Sequence, residues 1–284
     1  MAIMKILILG SKGMLGQELV RCFSDMGEVA AWDREDVDLT KADEASGKIT
    51  AFMPDILINA AAYNNMDKAE TDDAERAKTI NGNVVGALAD ICQILAVTMV
   101  HYSTDYVFDG TKGAPYIETD TPNPQSVYAE SKHLGERLLR MAAPEYYLIR
   151  TSRLFGSAGS SDMAKKSFVD TMLELGKTKT ELDLVDEEIS SPTYAPDVAK
   201  ATRQLFDEKK PFGIYHRTNS GECTWYGFGK KVFELAGMPV KTHPVAASAF
   251  PRPAKRPSYS VLASTKLPPM RPWEEALAEY LRSR

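Results

Sequence analysis

Residues 6–16 of this chain read ILILGSKGMLG, a short apolar run that leads directly into three spaced glycines. The run has the pattern of a buried strand, and apolar side chains recur at helical intervals after it. Between a strand and a helix, Gly10, Gly13 and Gly16 allow a tight turn, close approach to a pyrophosphate and close helix packing. The stretch therefore predicts a dinucleotide site in which unpaired amides at the helix N-terminus meet the phosphates.

The first half of the chain repeats this strand-then-helix pattern. Four further strands are predicted at residues 29–32, 56–58, 98–102 and 147–149, each preceded by a helical stretch. Continuous apolar strands alternating with helices predict an α/β fold with a doubly wound parallel sheet, the Rossmann fold.

Beyond about Arg150 the alternation stops, and prolines punctuate many short segments. This change predicts a small C-terminal substrate-binding lobe that is rich in loops. We therefore predict an NAD(P)-binding domain at residues 1–152 and a lobe at residues 153–284. A segment near residues 193–210 is expected to return to the first domain.

The composition excludes several classes of protein. Hydrophobic residues make up 44% and charged residues 26%, which is typical of a globular protein. The formal net charge is -5 with both signs interspersed, so nucleic acid is not an expected partner. Cys22, Cys92 and Cys223 are odd in number and far apart, which indicates free thiols rather than disulfides or zinc. With no apolar run near the ~20 residues of a membrane span, we predict a soluble cytoplasmic protein.

The pair Asp33 and Arg34, which follows the second predicted strand, bears on the choice of cofactor. A carboxylate at the position of Asp33 accepts hydrogen bonds from the adenosine ribose hydroxyls, which favours NAD. Its neighbour Arg34 can hold a 2′-phosphate, which favours NADP. The sequence leaves both NADH and NADPH open.

The segment Tyr128-Ala129-Glu130-Ser131-Lys132 has a Tyr-x-x-x-Lys spacing, which places the two end side chains on one helix face. A phenol titrates near pH 10, and a nearby ammonium and nicotinium can lower its pKa enough for proton transfer near neutrality. Lys132 can also hydrogen bond the nicotinamide ribose. Such a spacing also occurs in ordinary surface helices, so the interpretation of Tyr128 and Lys132 as a catalytic pair depends on the residues around them.

Those surroundings include a hydroxyl group directly after the fourth predicted strand. Ser103, Thr104 and Asp105 stand there, at the carboxyl end of the sheet, where ligands bind in open α/β folds. Thr104 is predicted to hydrogen bond both a substrate carbonyl oxygen and Tyr128. The predicted catalytic residues are therefore Thr104, Tyr128 and Lys132.

With these motifs the chain resembles the dTDP-4-dehydrorhamnose reductase family of extended short-chain dehydrogenases/reductases. The resemblance runs nearly end to end, and its most specific stretches are NAAAY at residues 59–63 and STDYVFDG at residues 103–110. It implies reduction of the 4-keto group of a dTDP-4-keto-6-deoxy sugar, with Tyr128 as proton donor. The implied partner is a nucleotide sugar, with no nucleic acid and no membrane, and a homodimer is left open.

The resemblance also implies the roles of individual residues. Thr104 and Asp105 would face the sugar. Asn81 stands where related reductases place an asparagine that supports a proton relay, although it can equally be a helix cap. The residues that would face the cofactor are Gly10, Gly13, Met14, Leu15, Asp33, Arg34, Asp38, Leu39, Ala60, Ala61, Ala62, Tyr63, Asn64, Ser103, Tyr128 and Lys132.

The chain departs from the family pattern at Arg153 and at the positions of the metal-binding glutamates, among others. Arg153 replaces a tryptophan that borders the substrate pocket, and we expect it to contact the substrate by stacking or by binding an anionic group. Alternatively, Arg153 turns outward to a surface acid. Some family members bind Mg²⁺ through glutamates, and Glu18 matches one of these. Because the other positions do not match, we predict no required metal and regard Glu18 as a surface charge.

The sequence is also compatible with a different nucleotide-sugar reductase or epimerase, and with a cofactor-binding regulatory subunit without turnover. A 4,6-dehydratase would have glutamate at the position of Tyr106, so dehydration is disfavoured. The presence of Thr104, Tyr128 and Lys132 together favours an enzyme over a regulatory subunit.

Overall fold

Strands and helices alternate regularly in the first half of the chain and become shorter in the second. A computed structural model describes residues 3–143, 145–161 and 166–284. The strands are β1 (Lys5–Leu9), β2 (Glu28–Trp32), β3 (Ile56–Asn59), β4 (Thr98–Thr104), β5 (Tyr146–Thr151), β6 (Leu154–Phe155), β7 (Glu181–Val185), β8 (Ile189–Ser190), β9 (Thr193–Tyr194), β10 (Gly213–His216), β11 (Asn219–Ser220), β12 (Cys223–Thr224), β13 (Lys241–Val245) and β14 (Met270–Pro272). The helices are α1 (Met14–Phe23), α2 (Ala42–Phe52), α3 (Met66–Ala69), α4 (Ala74–Lys78), α5 (Val84–Leu95), α6 (Val127–Ala142), α7 (Phe168–Gly176), α8 (Ala195–Asp207), α9 (Trp225–Leu235) and α10 (Trp273–Arg282).

The central sheet has the strand order β10-β5-β4-β3-β1-β2, and all its pairs are parallel. The predicted doubly wound parallel sheet is thereby confirmed. The order reverses at β1, which creates the crevice where ligands bind at the carboxyl ends of the strands. The sixth strand, β10, was not predicted, because only Ile214 and Tyr215 of its four residues are apolar, which is too short a run to indicate a buried strand.

Helices cover both faces of the sheet, as the apolar strands require. On one face α1 and α8 pack over a core that includes Ile6, Val100 and Val198. On the other, α2, α5 and α6 cover a core that includes Leu57 and Leu139. Helix α8 belongs to the segment 193–210 that we expected to return to the first domain, and it lies against the sheet.

The second half of the chain forms its own apolar cluster beside the sheet. Large aromatic side chains dominate this cluster, among them Phe155, Tyr194, Phe228, Trp273 and Tyr280. Short strand pairs frame it: β7 with β13, β8 with β12, β11 with β14 and β6 with β9. Within the described ranges, no helix is both long and apolar enough to cross a bilayer.

Helix α6 approaches the helical turn before α5 very closely at one glycine. A Cβ atom at Gly135 would lie 2.1 Å from the carbonyl oxygen of Asn81, in the π-helical turn Thr79–Asn83 that leads into α5. That distance is far below any real contact, so the backbones must separate if the glycine is replaced. Close packing here fixes α6 against the rest of the domain.

We predict that Gly135→Ala lowers the free energy of unfolding by about 1–3 kcal/mol through overpacking. The matched control is Gly47→Ala in α2, where an added Cβ would meet no atom of the described residues within 4 Å. That variant should stabilise the protein by about 0.4–1 kcal/mol, because alanine restricts the unfolded chain. Urea unfolding measures both changes. Equal effects of the two substitutions would contradict the close approach at Gly135.

Candidate active site

The glycine loop after β1 is packed so tightly that side chains are excluded from it. Gly10 has φ +74°, and a Cβ there would lie 2.6 Å from the backbone nitrogen of Ala61. A Cβ at Gly16 would lie 2.0 Å from the carbonyl oxygen of Gly10. Gly13 is the N-cap residue of α1, and glycine offers no side chain to cap the first amides. The first turn of α1 can therefore present its amides to an anionic group.

The residues after β2 lie directly beside this loop. The Asp33 carboxylate accepts hydrogen bonds from the backbone amide of Lys12, 2.9 Å from Oδ2, and from that of Arg34, 2.8 Å from Oδ1. Arg34 and Asp38 are exposed, and Asp38 Oδ1 accepts hydrogen bonds from the backbone and hydroxyl of Thr40. The acidic and basic residues that we predicted for the adenosine ribose thus flank the glycine loop.

A segment that the sequence did not indicate also lies against the glycine loop. The backbone amide of Ser160 donates to the carbonyl oxygen of Lys12 at 2.9 Å, and Gln17 Nε2 donates to the carbonyl oxygen of Ser157 at 2.9 Å. A Cβ at Gly159 would lie 2.4 Å from the Lys12 carbonyl oxygen. The first residues of the lobe therefore pack against the glycine loop and the start of α1.

The chain that leaves β3 is held by a buried asparagine. Asn81 Oδ1 accepts from the backbone amide of Tyr63 at 2.9 Å, and its Nδ2 donates to the Tyr63 carbonyl oxygen and to Ser131 Oγ, each at 3.0 Å. Asn81 lies inside the π-helical turn, so it is not a helix cap and that alternative was wrong. It connects the backbone at Tyr63 to the helix that carries Tyr128.

That helix, α6, begins next to the end of β4. Ser126 is its N-cap and accepts a hydrogen bond from the amide of Ala129, which places Tyr128 in the first turn. Lys132 follows one turn later, and its Nζ donates to the carbonyl oxygen of Tyr102 at 2.6 Å. Thr104 is the last residue of β4. Tyr128, Lys132 and Thr104 are all buried, with 8%, 3% and 8% exposure.

Burial sets the charge states at this site. It raises the pKa of the Tyr128 phenol, an effect that the Asp105 charge reinforces and the Thr104 hydroxyl opposes. The lowering of this pKa by an ammonium and a nicotinium depends on the bound cofactor and stays a prediction. Burial also lowers the pKa of Lys132 to about 8, with Glu136 opposing the change. At neutral pH the site therefore holds a protonated phenol, which can donate a proton, beside an ammonium.

Asp105 connects the end of β4 to the lobe. It is 2% exposed, and its Oδ2 accepts hydrogen bonds from Ser190 Oγ at 3.0 Å and Ser260 Oγ at 2.6 Å. Its Oδ1 accepts from Thr104 Oγ1 at 3.1 Å. Neither serine belongs to a recognisable motif, so sequence reasoning missed both. Contact between Asp105 and a sugar stays a prediction.

Arg153 turns inward at the base of the lobe. Its Nη1 donates to the carbonyl oxygen of Cys223 at 2.8 Å and its Nη2 to that of Glu188 at 2.6 Å. Its guanidinium carbon lies 4.1 Å from the centre of the Trp225 ring, and its backbone has φ +40°. The alternative that Arg153 pairs with a surface acid was therefore wrong. Sequence reasoning missed Trp225, whose indole stacks on this guanidinium.

Glu18 was also assigned incorrectly from the sequence. It is 8% exposed rather than a surface charge, and it accepts a hydrogen bond from Arg21 at 2.6 Å. Asp197, at the start of α8, is equally buried and is held by the fork of Arg271, with contacts of 2.7 and 2.9 Å. Both carboxylates belong to helices that pack against each other.

Taken together, a phosphate-binding loop at β1, an acid after β2 and a Tyr-Lys pair facing the end of β4 define a Rossmann-type dinucleotide-binding protein with a proton-donating site. The chain belongs to the RmlD substrate binding domain family, whose model matches residues 4–284. The family resemblance drawn from the sequence is thereby confirmed.

Individual relatives match over nearly their whole length. The spore coat polysaccharide biosynthesis protein SpsK of Bacillus subtilis (strain 168) is 38% identical over 287 residues, covering 99% of this chain and 98% of the relative. A dTDP-4-dehydrorhamnose reductase of Burkholderia thailandensis is 36% identical, covering 93% and 92%. The crystal structure of the Bacillus anthracis dTDP-4-dehydrorhamnose reductase in complex with NADP has a TM-score of 0.94 at 31% identity and covers 100% of each chain.

Proposed function

We propose that this protein reduces the 4-keto group of a dTDP-4-keto-6-deoxy sugar, converting dTDP-4-dehydrorhamnose to dTDP-L-rhamnose with NADPH or NADH. The observation that carries the proposal is the position of the Tyr128 phenol, which is buried, protonated and adjacent to Thr104 at the carboxyl end of β4. Its support from outside the chain is the near full-length similarity to dTDP-4-dehydrorhamnose reductases.

The residues around the glycine loop fit a dinucleotide. Gly10 and Gly16 leave no room for side chains, and the first turn of α1 has free amides for a pyrophosphate. When bound, the nicotinamide cofactor supplies the hydride. The remaining contacts that we propose for it are Gly13, Met14, Leu15, Asp33, Arg34, Asp38, Leu39, Ala60, Ala61, Ala62, Tyr63, Asn64, Ser103, Tyr128 and Lys132.

Each side chain of the site has a separate role in the proton transfer. The Thr104 hydroxyl binds the keto oxygen of the sugar, and the Tyr128 phenol donates its proton to that oxygen as negative charge develops there. The Lys132 ammonium stabilises the phenolate that results. Ser131 Oγ donates to the main-chain carbonyl oxygen of Tyr128 at 2.7 Å and accepts from Asn81 Nδ2 at 3.0 Å, so these side chains support the first turn of α6. A proton relay through Asn81 stays a prediction.

Asp105 and Arg153 are proposed to shape the sugar pocket. Asp105 keeps the lobe segments at Ser190 and Ser260 against Thr104. We also propose a cytoplasmic location, which fits the three free cysteines of the chain. A homodimer stays a prediction.

The purified chain should consume NADPH or NADH, followed by absorbance, when dTDP-4-keto-6-deoxy-L-lyxo-hexose is added, and should release dTDP-L-rhamnose. If the chain binds NADPH but consumes none with this sugar, the proposal fails. That result would favour the regulatory subunit without turnover.

We predict that Tyr128→Phe lowers kcat by about 100- to 10,000-fold, because the ring remains but the proton donor is lost. The Kd for NADPH should stay within about twofold of wild type, since the substitution removes one hydroxyl. The control is Tyr146→Phe at the partly buried start of β5, which should keep full activity. A Tyr128→Phe variant with more than about half of the wild-type kcat would exclude Tyr128 as the acid.

Asp33→Ala is expected to weaken binding of NADH more than that of NADPH. The carboxylate accepts hydrogen bonds from a ribose diol but repels a 2′-phosphate. Both cofactors will bind less well, because Asp33 also holds the amide of Lys12 in the glycine loop. The ratio of the two Kd values, from fluorescence titration, therefore isolates the ribose contact. An unchanged ratio would mean that Asp33 is not at the adenosine ribose.

For Arg153→Ala we predict a KM for the nucleotide sugar that is at least several-fold higher, with little change in the Kd for NADPH. The substitution leaves the carbonyls of Glu188 and Cys223 without their donors and removes the charge beside Trp225. Arg153→Lys should resemble it, because an ammonium cannot reproduce the fork. Steady-state kinetics decide, and unchanged KM and kcat in Arg153→Ala would rule out the substrate contact.

A further inference from the structure

A buried ion pair lies beneath the proposed site, on the side of Lys132 away from Tyr128. Arg150, in β5, is 1% exposed and Glu136, in α6, is 0% exposed. Arg150 Nε donates to Glu136 Oε1 at 2.8 Å and Nη2 donates to Oε2 at 2.7 Å. Burying such a pair costs desolvation energy that apolar residues of similar size would avoid. Its presence therefore calls for a role beyond stability.

The nearest candidate for that role is Lys132. Glu136 follows it by one turn on α6, so the two side chains share a helix face. Lys132 Nζ donates to the uncharged carbonyl oxygen of Tyr102, which replaces only part of the hydration that an ammonium has in water. Burial accordingly lowers the pKa of Lys132, and the charge of Glu136 acts against that change.

Contacts from two elements, β5 and α6, hold Glu136 in its ionised form. The fork of Arg150 is the strongest of them, and His133 Nδ1, on α6, lies 3.6 Å from Glu136 Oε2. These groups outweigh burial and lower the pKa of Glu136 to about 2. Arg150 is itself fixed by the ring of Phe108, 5.0 Å from its guanidinium, and by His216 Nε2 in β10, 3.3 Å from Nη1.

The two buried histidines near the pair are neutral. Arginine can only donate, so His216 Nε2 accepts, and its Nδ1 donates towards the carbonyl oxygens of Tyr116 and Ala263. Burial lowers the pKa of His216 to about 4. His101, which faces this region from β4, also has a pKa well below its usual value through burial and the Lys132 charge. Glu136 thus supplies the negative charge that acts on Lys132.

We propose that Glu136, oriented by Arg150, is a positioning residue that keeps Lys132 protonated for catalysis. The inference rests on the proposed role of Lys132 in the reductase reaction. In the proposed reaction, Glu136 touches neither substrate nor cofactor and acts through the ammonium alone. Arg150 offsets the cost of burying the carboxylate and aims both of its oxygens.

The test measures the titration of Lys132 directly by NMR of protein labelled at the lysine ¹³Cε, with the signal assigned through Lys132→Arg. Glu136→Gln should lower the midpoint by about one pH unit or more, a roughly tenfold larger acid dissociation constant. Glu130→Gln, an exposed position of the same helix, is the control and should leave the midpoint unchanged. This readout needs no substrate, so it stays valid if the chain fails to reduce the sugar.

Should Glu136→Gln fold poorly, the double variant Glu136→Gln with Arg150→Met replaces the whole pair by neutral groups. It should lower the midpoint too, by less, because a cation is removed along with the anion. In the active enzyme, the alkaline limb of the kcat/KM profile should move to lower pH with the midpoint. A Lys132 midpoint that is unchanged in both variants would overturn the proposal.

Discussion

The hydrogen bond from Lys132 Nζ to the carbonyl oxygen of Tyr102 connects the two elements on which the site depends. It joins α6 to β4 at 2.6 Å, one turn after Tyr128 and two residues before Thr104. The phenol and the hydroxyl are therefore held to a common frame. Gly135 permits the close approach of α6, and the buried Glu136 and Arg150 lie directly behind the ammonium.

Strand β10 extends the central sheet, and polar contacts attach the other segments of the lobe to this frame. Asp105, adjacent to Thr104, receives hydroxyls from Ser190 and Ser260, which are far apart in the sequence. Arg153 then bridges the carbonyls of Glu188 and Cys223. Since each contact uses a buried or partly buried polar group, loss of one partner leaves the other unsatisfied. These contacts therefore fix the lobe segments that lie next to Thr104.

Local patterns predicted the sheet and the glycine loop, because strand runs, glycine spacing and the Tyr128–Lys132 interval are read within a few residues. They could not predict β10, the serines around Asp105, or Trp225 beside Arg153, since these depend on contacts between distant segments. The prediction for Glu18 failed for the same reason, because its burial is a property of the folded chain.

In the proposed reaction, Tyr128 and Thr104 bind the oxygen at C4 of the sugar. A crystal structure of the complex with NADP and dTDP-L-rhamnose would locate this oxygen. We expect it to lie within about 3.2 Å of both Tyr128 Oη and Thr104 Oγ1, in hydrogen-bonding reach. A sugar whose C4 oxygen is several ångströms from both groups, with another hydroxyl in their place, would contradict it.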